Sequence, residues 1–370
     1  MNHSIKNPHM QNSKFNKQLG FTLVELMVAL ALSLLVVAAS VSALLVSRQG
    51  FTSIDAASQL RDNARFATDF ITRLSVQSGF KDTKYVDTAS HSLFKSIGTP
   101  SDPDTPVFGF NNAILGTGTD PIGASVSNSR NTSCIAADGT ACANGSDILV
   151  LRYQAGSKNT DSTPGSGSGE IDDAMFNCAG IREVFTPTSP SDVIESMLYV
   201  GFSGMNREPT LMCKYRSGSG ASWVNQSTPL VQGVESFQIL YGTDGVVAAS
   251  IPVARAPLGV LPNIPPLSGQ PDSVPDNYLR ADQLTVAGNV AATKENWRRV
   301  RSLRIGLVVR GPVGSAQAPA SQRLYPFSPS GTLANPPAAF SSTFLDIAAS
   351  DTRVRQVVTF TVYLHNFQVI

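Results

Sequence analysis

Residues 21 to 46, FTLVELMVALALSLLVVAASVSALLV, form an apolar run with one ionisable side chain, Glu25. A run this long, free of proline and glycine, predicts a membrane-spanning helix. At 1.5 Å per residue it would cover roughly 39 Å, more than the ~30 Å hydrocarbon core. After Val46 the pattern becomes amphipathic. Ile54, Ala57, Leu60, Ala64, Ala67, Ile71 and Leu74 recur in steps of three and four. Arg48, Asp55, Arg61, Asp62, Arg65, Asp69 and Arg73 fall on the other face. Those steps mark a helix with one buried stripe. No proline occurs from 47 to 80, so the helix is predicted to run from about Phe21 to Ser78, roughly 87 Å, and to stop at Gly79. Gly50 is a point where it can bend, at about 1 kcal/mol relative to alanine. The first half belongs in lipid or a filament core, and the second half against a globular domain.

Beyond residue 80 the period shortens. Asp147–Gln154, Val193–Phe202, Pro209–Tyr215, Leu230–Tyr241, Arg301–Arg310 and Val354–His365 read as strands. A turn is predicted near Gly204 to Arg207. Stretches at 99–104, 116–133, 155–170, 252–276 and 311–347 are rich in Gly, Pro, Ser, Asn or Asp and read as loops. The fold class is α+β: a long N-terminal helix, membrane-spanning in its first half, packed on an antiparallel sheet domain with long loops. The segments are 1–20 as a leader, 21–80 as the helix with 21–46 transmembrane, and 81–370 as one β-rich domain exported across the membrane. Met10 is an alternative start.

Composition narrows the chemistry. The 370 residues carry 15% charged side chains and a net charge of +1, so no global basic excess points to nucleic acid. The four cysteines, Cys134, Cys142, Cys178 and Cys213, are an even number in an exported domain, which favours disulfides. Three connectivities are open, and proximity favours Cys134–Cys142 and Cys178–Cys213. Their spacings are not those of a zinc site. Of four histidines, His3 and His9 lie in the leader, leaving His91 and His365. No phosphate-binding loop, nucleophile elbow or zinc-protease motif occurs, so neither an enzyme nor a cofactor or metal is predicted. Thr243-Asp244-Gly245 reads as a hairpin turn rather than a calcium loop. Trp297-Arg298-Arg299-Val300-Arg301, extended by Arg304 and Arg310, reads as the solvated side of a strand before a DNA contact.

The leader holds Lys6, Lys14 and Lys17 and no acid, which keeps the N-terminus cytoplasmic. An ordinary secretory signal is cut after its hydrophobic region. Here Gly20 precedes it, so cleavage at Gly20 leaves the helix on the mature chain. A carboxylate in a membrane helix costs several kcal/mol by order of magnitude unless partnered, and marks a functional position. The ammonium group that cleavage would create at Phe21 is a partner for Glu25, in the same or a neighbouring chain.

Lys17-Gln18-Leu19-Gly20-Phe21-Thr22-Leu23-Val24-Glu25 resembles the class III leader junction of type IV pilins and type II secretion pseudopilins. The resemblance implies that a prepilin peptidase cuts between Gly20 and Phe21 and methylates Phe21. It also implies that Glu25 pairs with the N-terminal amine of a neighbouring subunit. Further blocks are similar to PilW-type minor pilins. They are Asp147–Gln154, Cys178-Ala179-Gly180, Leu211-Met212-Cys213, Pro229–Glu235 running into Phe237–Gly242, Trp297 leading into Val300–Ile305, and the tail Val358–Asn366. Residues 250 to 280 and 311 to 350 lie outside this likeness, as do Cys134 and Cys142.

The PilW resemblance implies a pilin-like fold and a low-abundance subunit of a priming or tip complex. Such a subunit starts pilus assembly and supports twitching, adhesion or DNA uptake. The partners implied are the prepilin peptidase, other minor pilins, the major pilin, a tip adhesin and the inner membrane, with DNA itself not favoured. The chain would sit in the bacterial inner membrane before assembly and on the pilus afterwards. Two rival readings stand beside it: a minor pseudopilin of a type II secretion system, and a membrane-anchored adhesin whose loops bind a ligand.

Overall fold

The computed structural model describes residues 20–81, 105–113, 115, 145–154, 175–182, 193–203, 207–217, 222–252, 273–316, 320–327 and 344–366. The chain divides into two compact units, Met1–Thr52 and Ser53–Ile370, and helix α1 (Leu23–Gln77) contributes to both. In the first unit every residue of α1 from Leu23 to Gln49 is exposed.

In the second unit α1 buries Ala56, Leu60, Ala64, Ala67, Ile71 and Leu74. The stripe begins at Ala56 and not at Ile54, which is 70% exposed. At about 100° per residue, Ala56 lies some 40° from Leu60 around the axis, whereas Ile54 lies some 120° away. The helix ends at Gly79, whose φ of +82° suits a residue without a Cβ. Asn366, near the chain's far end, donates its side-chain amide to the carbonyls of Val76 (3.0 Å) and Ser78 (3.4 Å). Those are carbonyls that a helix C-terminus leaves without intrahelical partners.

The strands form two main antiparallel sheets rather than one. Sheet one has the order β1-β2-β3-β4-β5. Its strands are β1 (Val107–Phe110), β2 (Ile148–Tyr153), β3 (Ile194–Ser203), β4 (Glu208–Ser217) and β5 (Thr228–Gln232). Sheet two has the order β11-β8-β6-β7, from β6 (Val234–Thr243), β7 (Asn277–Leu279), β8 (Val300–Arg310) and β11 (Arg355–Tyr363). A small hairpin of β9 (Gln322–Leu324) and β10 (Leu345–Ile347) packs its leucine and isoleucine side chains on Val308 and Val357. The stripe of α1 and the inner faces of both sheets share one apolar core.

The predicted strand at Leu230–Tyr241 is broken by Gly233, where the chain leaves one sheet for the other. Gly233 has φ +82°, donates to Pro209 O of β4 (2.8 Å) and accepts from Arg310 N of β8 (2.8 Å). A Cβ there would stand 2.6 Å from Arg310 O. A second seam is the segment Gly145–Asp147, which clips onto β6. Asp147 N donates to Phe237 O (2.8 Å), and the Asp147 carboxylate accepts from Asn112 N (2.8 Å) and Ile239 N (2.7 Å). Phe237 N donates to Ser146 Oγ and Gln238 Nε2 to Gly145 O. Burial pushes the Asp147 carboxyl up to about 7, against the pull of its two backbone donors.

Candidate assembly site

The N-terminal junction is built by its own short-range chemistry. Gly20 and Phe21 precede the helix, and the Phe21 side chain is 85% exposed. Thr22 then acts as N-cap. Its carbonyl accepts the first helical bond, from Leu26 N (3.2 Å), and its hydroxyl oxygen accepts from Glu25 N (3.3 Å). Glu25 Oε2 reaches back and accepts from Thr22 N (3.0 Å) and from the Thr22 hydroxyl (3.0 Å). This is the reciprocal capping box of a Thr-x-x-Glu sequence. It gives the single carboxylate of the apolar run three tasks: it accepts from the Thr22 amide, brings negative charge to the positive end of the helix, and stands about one turn from Phe21.

Downstream, four hydroxyl side chains of the first unit bond back to the helix itself. Ser33 donates to Leu30 O, Ser40 to Val36 O, Ser42 to Ala38 O and Thr52 to Arg48 O, at 2.7–2.9 Å. Such back-bonding leaves few polar groups needing water, as a lipid or close-packed filament environment requires. The exposed face is continuous apolar surface: Leu26, Met27, Leu30, Leu34, Val37, Val41 and Leu45 are each at least half exposed. A surface of that kind marks a membrane or subunit contact.

Cys178 and Cys213 form a buried disulfide with Cα atoms 5.8 Å apart. It ties the short turn at 175–182 to the middle of β4. Cys134 and Cys142 lie outside the described residues, as do the loops predicted at 99–104, 116–133 and 155–170.

The basic-aromatic cluster is not a solvated strand face. Trp297 lies in the last turn of helix α2 (Val290–Arg298) and packs edge-on against Tyr241, with ring centroids 4.8 Å apart. Arg299 and Arg301 are 3% and 2% exposed. Arg299 pairs with Glu295 (3.0 Å), and Arg301 donates to Arg298 O (2.8 Å) with Asp244 3.9 Å away. Arg310 pairs with Glu208 and Glu235. These guanidinium groups are spent on internal pairing, as buried charges require. Asp244 is likewise buried, and its carboxylate accepts from Ser273 N, so Thr243–Gly245 closes β6 as an internal bend rather than a hairpin tip.

The capping role of Thr22 was readable as Thr-x-x-Glu before an apolar run. The Asp147 clip carried no comparable signal, because its partners are 35 and 92 residues away.

Residues 198–366 match the family model described as Type IV Pilus-assembly protein W, and residues 15–41 match the prokaryotic N-terminal methylation motif. No curated protein matches the chain. Among solved structures, a type IV-like pilin from Thermus thermophilus is similar at 14% identity, over 83% of this chain and 98% of that one, with a TM-score of 0.34.

Proposed function

We propose that the chain, whose residues 198–366 match the PilW family model of type IV pilus assembly, works as a minor pilin of a priming or tip complex that starts filament assembly. Its methylation motif and exposed apolar helix fit an inner-membrane-anchored pilin that is later assembled into the pilus. In this reading the peptidase cuts after Gly20, Phe21 becomes the methylated N-terminus, and Glu25 supplies the assembly contact.

The observation that carries the proposal is the Thr22–Glu25 box at the head of a helix that has no other charged side chain before Arg48. Before assembly, Thr22 holds the carboxylate on its own helix. During assembly, the same carboxylate exchanges part of that bonding for the ammonium of a neighbouring Phe21. The exchange removes two isolated charges from an apolar environment at once. Through it, the complex supports twitching, adhesion or DNA uptake as a function of the pilus rather than of this chain alone.

The test is Glu25→Ala. The variant should be cut after Gly20 like the wild type, yet be missing from sheared pili and fail to restore piliation in a strain lacking the chain. Wild-type incorporation of Glu25→Ala would defeat the proposal.

A further inference from the structure

The second sheet ends in an edge that nothing among the described residues covers. Strand β11 pairs only with β8, in the register Arg355↔Arg310 to Tyr363↔Ser302. The flanking bonds Leu364 N to Arg301 O and Gly311 N to Val354 O fix the parity of the ladder. Even-numbered residues of β11 exchange hydrogen bonds with β8. The N–H and C=O groups of Arg355, Val357, Thr359, Thr361 and Tyr363 therefore face away from it. Nine residues give an edge about 30 Å long.

The other edges are guarded. Strand β1 has four residues, all buried, and β7 has three. In β5, Pro229 removes a donor, and Asn63 of α1 caps Gln232 O (3.2 Å). On β11, Gln356 to Tyr363 contain no proline, no lysine and no charge. Natural sheets normally blunt so long an edge unless something pairs with it. The core-facing side chains agree: Val358 and Phe360 are only partly buried, while their β8 partners Leu307 and Ile305 are fully buried. One more strand would complete that packing.

We infer that the outer edge of β11 takes an extended strand from a neighbouring, different pilin subunit, by main-chain pairing. The unpaired ladder sets the chemistry of the occupant. It must be extended and uncharged over about eight residues, with alternate apolar side chains continuing the row of Val358, Phe360 and Val362. The edge also runs directly into Leu364–Asn366, where Asn366 caps the C-terminal end of α1. The inference rests on the assembly role proposed above.

Proline at an outward-facing position removes a donor that β8 does not use. Thr361→Pro and Tyr363→Pro should keep wild-type levels and protease resistance, while the chain recovered in sheared pili falls at least ten-fold. Thr361→Ala and Tyr363→Ala should incorporate normally. In the purified full chain in detergent micelles, the amides of Thr361 and Tyr363 should exchange at least 100-fold faster than those of Phe360 and Val362.

Normal incorporation of both proline variants would overturn the inference. Loss of their fold, or slow exchange at Thr361 and Tyr363, would do so too, because the edge would already be held by this chain or a second copy. Absence of the wild-type chain from sheared pili would instead bring down the assembly role itself, and this inference with it.

Discussion

Asp147 offers the sharpest physical test of how the two sheets are joined. Its carboxyl is fully buried, bridges Asn112 and Ile239, and is pushed from the ordinary carboxylate range to about 7. The folded state then holds a proton that the unfolded chain has lost, over the window from about pH 4 to about 7. The favourable contribution is complete below pH 4, declines across the window and is gone above 7. At 1.36 kcal/mol per pKa unit the swing is about 4 kcal/mol. Asp147→Asn removes the titration. It keeps one acceptor for two donors, which costs about 1 kcal/mol at pH 4. The two stability curves must therefore cross: the variant is less stable than wild type at pH 4 and more stable by about 3 kcal/mol at pH 8. Urea unfolding of the full chain in detergent micelles would read this, with Trp223 and Trp297, both buried, as fluorescent reporters. A wild type that is more stable than Asp147→Asn at pH 8 would refute the reasoning. It would mean that the backbone donors outweigh burial and hold the carboxylate ionised.

Two further outcomes follow from the fold. The Cys178–Cys213 bond closes a separation of 35 residues, so Cys213→Ser should destabilise the second unit by about 4 kcal/mol, readable as a lowered urea midpoint that dithiothreitol reproduces in the wild type. Gly233→Ala sets a Cβ against Arg310 O in a left-handed backbone conformation, so it should destabilise the protein by at least about 1 kcal/mol; unchanged thermal unfolding would remove Gly233 from its role as the corner.

Much of this architecture is written in local patterns. The change from an all-round apolar helix to a striped one is visible around Val46, and β2, β3, β8 and β11 lie within two residues of the strands predicted for them. Contacts between distant residues are where the sequence pattern falls short. Leu230–Tyr241 alternates as one strand, and only the left-handed conformation at Gly233 divides it between two sheets. Arg299 and Arg301 resemble a solvated basic face because their partners, Glu295 aside, come from a bend near Asp244 and from backbone carbonyls. Helix α2 was hidden by that same charged stretch; its N-cap, Asn289, accepts from Ala292 N but precedes no long apolar run. At the assembly site the position is reversed. Thr22 and Glu25 bond each other three residues apart, so their arrangement was legible before any tertiary structure.

The central claim is that this chain enters a pilin assembly route through the Gly20–Phe21 junction, and mass analysis of the mature N-terminus tests it most directly. In cells with the prepilin peptidase, the chain should begin at N-methylated Phe21, and in cells without it the leader should remain. An intact leader in both strains would contradict the account, leaving Glu25 without its ammonium partner and the chain as a signal-anchored protein of the cell envelope.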